Sequence, residues 1–231
     1  MSISTDIESL VEMLSSKQLI VFDFDGVLAD SVEIKTEVFA EIYKPFGVDV
    51  VAKVVSHHRA NGGMSRFEKF KLYHREFIGQ ELDEHSVRGL AGKFSDLAKQ
   101  AVIAAPEIPG SLEALKGFRA GGKTCAVNSA TPEEEIIDII NQRSLTDFFV
   151  SVYGAPASKE KNLEKILKDS SSSVDSAVFF GDARSDFDAA LALDVDFVGV
   201  GEDIRSELNA SAAQYYSIVD FNDLQVYFLN S

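Results

Sequence analysis

Hydrophobic residues along the chain fall into two patterns: short uninterrupted apolar runs, and longer stretches with helical spacing. Five of the short runs predict buried strands, at residues 18–22, 124–128, 149–153, 177–181 and 197–200. Uninterrupted runs of this length are typical of parallel strands that are covered on both faces. With helices between them, these runs predict an α/β fold built on a doubly wound parallel sheet with a Rossmann-like core.

The region after the first strand contains no strand pattern. Three stretches there have helical apolar spacing, at 33–43, 65–78 and 82–102. A small helical domain inserted into the α/β domain explains this change of pattern. We therefore predict a core domain of residues 1–30 and 106–231 and a helical cap domain of residues 31–105. The prolines and glycine at 106, 109 and 110 place the returning hinge at 104–109, and the outgoing hinge lies at 30–33.

The first predicted strand ends in two carboxylates, Asp23 and Asp25, which are followed by Gly26. Side chains alternate along a strand, but where a strand end frays into a glycine loop both carboxylates can turn toward one pocket. A buried pair of carboxylates is costly without a compensating cation, which predicts a divalent metal. For this segment alone, a solvated strand end followed by a turn is an equal alternative.

Three further strand ends carry polar residues. Ser129 follows the second strand, and its hydroxyl and the next backbone N–H groups could hold an anion at a helix start. Lys159 stands at another helix start, where the helix dipole disfavours a cation unless an anion is close. Asp182 and Asp186 lie four residues apart after the fourth strand, so both can face the pocket of Asp23. Taken singly, a helix cap, a surface lysine and a chance match would explain these residues.

The four segments, in this order, resemble the haloacid dehalogenase superfamily of phosphotransferases. The match consists of DxDG at 23–26, Ser129 after the second strand, Lys159 before a helix, and GDxxxD ending at Asp186. No single motif would be sufficient, but together they span nearly the whole chain. The helical insertion is similar to the cap of the phosphoglycolate phosphatase and β-phosphoglucomutase branch of that superfamily.

The resemblance implies a role for each motif residue. Asp23 would be the nucleophile that forms an aspartyl phosphate, and Asp25 would be the general acid and base. Ser129 and the adjacent Ala130 would bind the phosphoryl group, and Lys159 would neutralise its remaining charge. These residues are the ones that an anionic nucleophile and an anionic substrate need in one pocket.

The resemblance also implies Mg²⁺ as the cofactor. Its ligands would be the Asp23 carboxylate, the Asp25 carbonyl oxygen and Asp182, with Asp186 acting through water or orienting Lys159. Such a metal supplies positive charge beside the phosphate.

Within the predicted cap, Ser65 is placed as a helix N-cap with Glu68 at the third helical position. Arg66 is predicted to contact the substrate through its planar guanidinium, with an exposed arginine paired to a nearby acid as the alternative. His57 and His58 are expected to pack in the cap or lie on its surface, because a His-His pair without further spaced ligands is a poor metal signature.

Two departures from the residue pattern of the mutases favour hydrolysis over mutase activity. Mutases of the resembled branch carry a histidine near the position of Lys35 and a lysine just before the Gly63 turn, and this chain has neither. Asp25 argues against dehalogenase and phosphonatase activity, since relatives with those activities lack an aspartate there. We predict a Mg²⁺-dependent phosphatase acting on a small phosphorylated metabolite; the alternatives are a phosphomutase and a non-catalytic phosphate-binding protein.

Composition narrows the partners. The 231 residues are 45% hydrophobic and carry a formal net charge of −15, which argues against nucleic acid or an anionic membrane surface as a partner. No apolar run reaches the ~20 residues of a membrane span and residues 1–16 lack a signal-peptide pattern, so we expect a cytoplasmic protein. We expect a monomer or a weak homodimer, and a buried, unreactive thiol at Cys125.

Overall fold

The computed structural model describes residues 7–202, 204, 208 and 215–229 of the chain. Parallel strands form one sheet in the order β3-β2-β1-β4-β5-β6. Their bounds are β1 Leu19–Phe22, β2 Thr124–Pro132, β3 Ser151–Ala155, β4 Ala177–Gly181, β5 Asp196–Val200 and β6 Tyr216–Ile218. The predicted doubly wound α/β fold is confirmed, because β1 lies at the centre and the chain places β2 and β4 on opposite sides of it.

The helices divide into those that flank the sheet and those of the insertion. In the described residues they are α1 Ile7–Ser16, α2 Val32–Tyr43, α3 Val48–Ala60, α4 Arg66–Tyr73, α5 Glu84–Ala104, α6 Ser111–Ala120, α7 Glu133–Gln142, α8 Lys159–Asp169, α9 Arg184–Ala192 and α10 Gln225–Leu229. A π-helical turn at His74–Ile78 follows α4. None of the helices in these residues is long and apolar enough to cross a membrane.

Strand β1 is buried along its whole length. Ile20 and Phe22 pack into one hydrophobic cluster, and Leu19 and Val21 into a second cluster on the opposite face. This alternation is what a strand covered by helices on both sides requires. The uninterrupted apolar run therefore fixes β1 in the middle of the sheet and leaves only its carboxyl end free for polar side chains.

Helix α3 and strand β6 are among the elements that the sequence-based prediction did not contain. Helix α3 has the sequence VDVVAKVVSHHRA, whose β-branched valines favour a strand locally. It is helical because it packs against α2, with Val54 buried in the shared core. Strand β6 has only three residues and lies at the edge of the sheet, so it leaves no recognisable apolar run. The predicted third strand begins two residues late, at Ser151, and β2 continues to Pro132.

Helices α2 to α5 make up residues 31–105, called here the cap segment. Its centre is a cluster of buried aromatic rings in which Phe39 lies 4.6 Å from Phe94 and 5.4 Å from Phe70 between ring centroids. Where the cap segment returns to the sheet, Arg143, which directly follows α7, donates hydrogen bonds to the carbonyls of Val102 and Ile103 in α5 and to that of Ala105. The exact limits of a cap domain stay a prediction.

Candidate active site

The carboxyl ends of β1, β2 and β4 meet at one edge of the sheet, and the motif residues lie there. Asp23 directly follows β1, Ser129 lies in the last part of β2, and Asp182 directly follows β4. Gly26 has a φ of +78°, and a Cβ atom on it would lie 2.1 Å from an oxygen of the Asp182 carboxylate. The glycine of the DxDG motif is therefore required both by its backbone conformation and by the close approach of Asp182.

A buried lysine joins two of these carboxylates. Lys159, the first residue of α8, places its Nζ 2.7 Å from Asp23 and 2.7 Å from Asp186. Its third hydrogen bond goes to the backbone carbonyl of Asn128, at 2.8 Å. Asp186 is itself fixed, because its Oδ2 accepts a hydrogen bond from the Ala183 N–H at the start of α9. In this structure, two carboxylates of the protein are the anions that offset the unfavourable position of Lys159 at a helix start.

Carboxylate oxygens of Asp23, Asp182 and Asp186 lie within 4.8 Å of one another. Burial raises the pKa of Asp23 to about 7, with Lys159 opposing the shift and Asp186 and Asp25 adding to it. Burial, followed by repulsion from Asp23 and Asp186, raises the pKa of Asp182 well above its usual value. One lysine therefore leaves this cluster short of positive charge, and an all-oxygen donor set with excess negative charge fits Mg²⁺.

Asp25 is not one of the three carboxylates of that cluster and has its own partners. It forms an ion pair with Lys35 of α2 and accepts hydrogen bonds from Ser31 at 2.6 Å and Thr131 at 3.2 Å. Burial opposes ionisation of Asp25, but Lys35 and the hydrogen bonds outweigh it and lower its pKa. Lys35 also donates to the Thr131 hydroxyl at 2.7 Å, so one network joins the cap segment to two strand ends.

The end of β2 carries the residues that the sequence analysis predicted to hold an anion. Ser129 is 1% exposed, and its hydroxyl accepts a hydrogen bond from the Thr131 N–H at 3.1 Å. Pairing with β3 is irregular between Asn128 and Pro132, so this stretch departs from a regular ladder. Ala130 and Thr131 line a cavity of ≈50 Å³ that also borders Asp23, and Ser129 lines a wider cleft beside it.

Arg66 lies at the wall of the same cavity, but its guanidinium already has partners. It forms a bidentate ion pair with Glu135 of α7 at 2.8 and 2.9 Å and donates to Ser95 at 2.8 Å. The alternative prediction was an exposed arginine paired with a nearby acid. Arg66 does pair with an acid, but with 5% exposure it is buried. Its predicted contact with substrate stays a prediction.

The two histidines lie within the cap segment. His57 contacts the Tyr73 hydroxyl at 3.3 Å, and the buried His58 contacts the Nζ of Lys69 at 2.6 Å. Ser65 is the N-cap of α4 and accepts a hydrogen bond from the Phe67 N–H. Cys125 is buried, and burial raises the pKa of its thiol to about 12, which makes it unreactive.

Sequence reasoning missed three polar residues that border this site. Lys35 and Thr131 hold Asp25, and Lys69 lines the cavity from α4. Lys35 was noted only as the position where mutases carry a histidine, and its place four residues after Ser31, on the face of α2 that meets the strand ends, is a second signal. In the sequence, Lys69 is an ordinary polar position of an amphipathic helix. The residues next to it along the chain give no indication that it is buried at the cavity.

The model of the haloacid dehalogenase-like hydrolases matches residues 20–200. The chain belongs to this family. Among curated proteins, it is 27% identical over 195 residues to a phosphoglycolate phosphatase of Pseudomonas savastanoi pv. phaseolicola, an alignment that covers 79% of this chain and 69% of the relative. A second phosphoglycolate phosphatase, from Pseudomonas fluorescens, is 25% identical over 198 residues, with the same shares of both chains covered.

Solved structures agree with the fold of this haloacid dehalogenase-like hydrolase. A β-phosphoglucomutase from Clostridium difficile superposes with a TM-score of 0.73 at 17% identity, covering 93% of this chain and 98% of its own. CbbY from Rhodobacter sphaeroides, solved in complex with phosphate, gives 0.71 at 16% identity, covering 93% and 100%. The resemblance to the superfamily was drawn from four short motifs, and the resemblance to its phosphoglycolate phosphatase and β-phosphoglucomutase branch was drawn from the helical insertion. Both are confirmed.

Proposed function

We propose that this hydrolase is a Mg²⁺-dependent phosphatase that cleaves a small phosphorylated metabolite through an aspartyl-phosphate intermediate. The observation that carries the proposal is the separation of two carboxylates, the buried Asp23 and the half-buried Asp25, that line one cavity. Asp23 is paired with Lys159, and Asp25 is paired with Lys35. Two carboxylates in different environments suit two different roles, one as nucleophile and one in proton transfer.

In the first step, a carboxylate oxygen of Asp23 attacks phosphorus and the bond from phosphorus to the leaving oxygen breaks. Asp23 is oriented for this by the Phe24 N–H, which donates to its Oδ1 at 2.6 Å, and by Lys159 at its Oδ2. The hydrogen-bonded pair of Asp25 and Lys35 holds the proton that the leaving oxygen takes. Ser129 and the backbone at Ala130 would bind the phosphoryl oxygens.

In the second step, water attacks the phosphoryl group, and the bond between phosphorus and Asp23 breaks to release phosphate. The lowered pKa of Asp25 keeps it ionised, so it can accept a proton from that water. Asp23, Asp182 and the Asp25 carbonyl oxygen would hold Mg²⁺, with Asp186 orienting Lys159. Bound there, the metal supplies positive charge beside the phosphoryl oxygens.

The decisive experiment measures phosphate release from phosphorylated metabolites with Mg²⁺ or with EDTA. The curated relatives are phosphoglycolate phosphatases, which makes phosphoglycolate the first substrate to test. We expect release that needs Mg²⁺ and falls by at least about 10³-fold in Asp23→Asn, because that change removes the attacking group. Asp49→Asn, at an exposed position of α3, is the matched control.

Release that persists in Asp23→Asn would refute the proposed mechanism. Activity that depends on an added sugar bisphosphate, with transfer of phosphate within the substrate, would establish the mutase instead. Tight binding of phosphate without turnover of any ester would establish a binding protein.

A further inference from the structure

Three cationic side chains of the cap segment line the cavity above the catalytic carboxylates: Lys35, Arg66 and Lys69. Two of them have a carboxylate partner. Lys35 is paired with Asp25, and Arg66 is paired with Glu135. Within the part of the chain that the structure describes, Lys69 has no carboxylate at ion-pair distance. It is nevertheless the most deeply buried of the three, with 1% exposure.

The contacts of Lys69 are with neutral groups. Its Nζ lies 2.6 Å from the Nδ1 of His58 and 3.4 Å from the Gly62 carbonyl oxygen. Burial and the neighbouring Lys69 charge lower the pKa of His58 to about 2, so His58 is neutral and accepts the hydrogen bond. Two of the three donors of the ammonium are therefore directed by the protein, and the third is free for a group in the cavity.

A buried ammonium without a counter-charge costs several kcal/mol of folding free energy. Burial, followed by repulsion from Lys35, lowers the pKa of Lys69 to about 7, although Asp182 and Asp25 act against the shift from beyond ion-pair distance. Such a residue weakens the fold of the free protein. An anion entering the cavity would remove the penalty and would hold the proton on Lys69.

We propose that Lys69, positioned by His58, binds a second anionic group of the substrate, on the cap side of the phosphoryl group. The inference rests on the proposed phosphatase function and names the substrate class within it. The cavity of ≈50 Å³ is small, which favours a carboxylate, the smaller of the two common anionic groups, over a second phosphate. The substrate is then a short phosphomonoester of a hydroxy acid.

The test compares two esters of similar size, phosphoglycolate and ethyl phosphate, which differ in the carboxylate. We expect the wild-type protein to prefer phosphoglycolate in kcat/KM by about 10- to 100-fold, the value of one charged hydrogen bond. Lys69→Met should remove that preference by raising KM for phosphoglycolate while leaving ethyl phosphate unchanged. Lys69→Arg should restore part of it. Lys71→Met is the matched control, since Lys71 lies on the same helix, is exposed and pairs with Glu84.

A binding measurement separates this inference from the proposed function. Calorimetry with Mg²⁺ compares phosphonoacetate, which carries a carboxylate and no ester bond, with ethylphosphonate. Binding of phosphonoacetate that weakens about tenfold or more in Lys69→Met, with ethylphosphonate unaffected, supports the inference even where neither ester is hydrolysed. An unchanged preference in Lys69→Met, in binding or in kcat/KM, overturns it. An equal weakening of the binding of both ligands in Lys69→Met also overturns the inference, because such a result would show a general defect of the cavity.

Discussion

Two buried lysines near the catalytic carboxylates have opposite surroundings: Lys159 at the carboxyl edge of the sheet, which lines the wider cleft, and Lys69 in the cap segment, which lines the small cavity. Lys159 touches two carboxylates, and although burial opposes its charge, Asp186 and Asp23 outweigh burial and raise its pKa above the usual value. Lys69 touches a neutral histidine and a carbonyl, and its pKa is lowered. The first lysine is already satisfied by the protein, whereas the second acquires its counter-charge from a ligand.

The largest effect expected from this difference follows removal of Lys159. Lys159→Met leaves three carboxylates crowded without a cation, so we expect a loss of about 3–5 kcal/mol in the free energy of unfolding in EDTA, together with loss of activity. Urea denaturation measures the first quantity. Mg²⁺ should return part of the lost stability, because it binds the folded carboxylate cluster.

Lys161→Met, on the exposed side of the same helix, is the control and should change stability by less than about 0.5 kcal/mol. A Lys159→Met protein as stable as the wild type would contradict the view that Lys159 neutralises this cluster.

Arg66 is the intermediate case, a cap cation that has a carboxylate partner. Glu135→Gln removes that partner and leaves the guanidinium buried beside Phe94, over which its Cζ lies 4.4 Å from the ring centroid. We expect a loss of about 1.5–3 kcal/mol in stability, the value of charged hydrogen bonds. Arg66→Met alone and with Glu135→Gln completes a double-mutant cycle. A coupling energy near zero would show that the pair does not hold the cap segment on the sheet.

The same comparison explains what the sequence could predict. Asp23, Ser129, Lys159 and Asp182 were predictable because each lies near the end of a strand or at the start of a helix. Parallel strands bring their carboxyl ends together whatever the conformation of the loops between them. Arg66 was singled out, but its partner lies 69 positions away on another element. Lys69 contacts His58 of α3, a helix whose valine-rich sequence favours a strand locally. Contacts that depend on packing between elements leave no local pattern.

Substitution of Gly63 tests whether the activity needs the close packing of the cavity wall near Lys69 against the core domain. A Cβ atom on Gly63 would lie 1.7 Å from the Ser185 hydroxyl of α9, so Gly63→Ala must displace this loop. We expect kcat/KM to fall by about 10- to 100-fold, because small misplacements of positioning groups are costly in catalysis.

Adding Ser185→Ala removes the hydroxyl that clashes and should recover part of the activity lost in Gly63→Ala. Ser185→Ala alone is the control, and its hydroxyl is buried without a hydrogen-bond partner among the described atoms. Full activity in Gly63→Ala would mean that the reaction does not need this contact.

The smallest expected effect is on the pH dependence of the free energy of unfolding. It also discriminates best between Lys69 and Lys159. Lys69 has a folded pKa of about 7 and an unfolded value of 10.5. Between these values the unfolded state binds more protons, so the free energy of unfolding rises with pH by up to about 1.4 kcal/mol per unit for this one group. Below pH 7 both states are protonated, and the full penalty of the buried charge is present.

Lys69→Met should therefore raise stability at pH 7 and flatten the curve of unfolding free energy against pH between pH 7.5 and 9.5, whereas Lys71→Met should reproduce the wild-type curve. A parallel curve for Lys69→Met would show that Lys69 has a counter-charge in the free protein, and the contrast with Lys159 would then disappear.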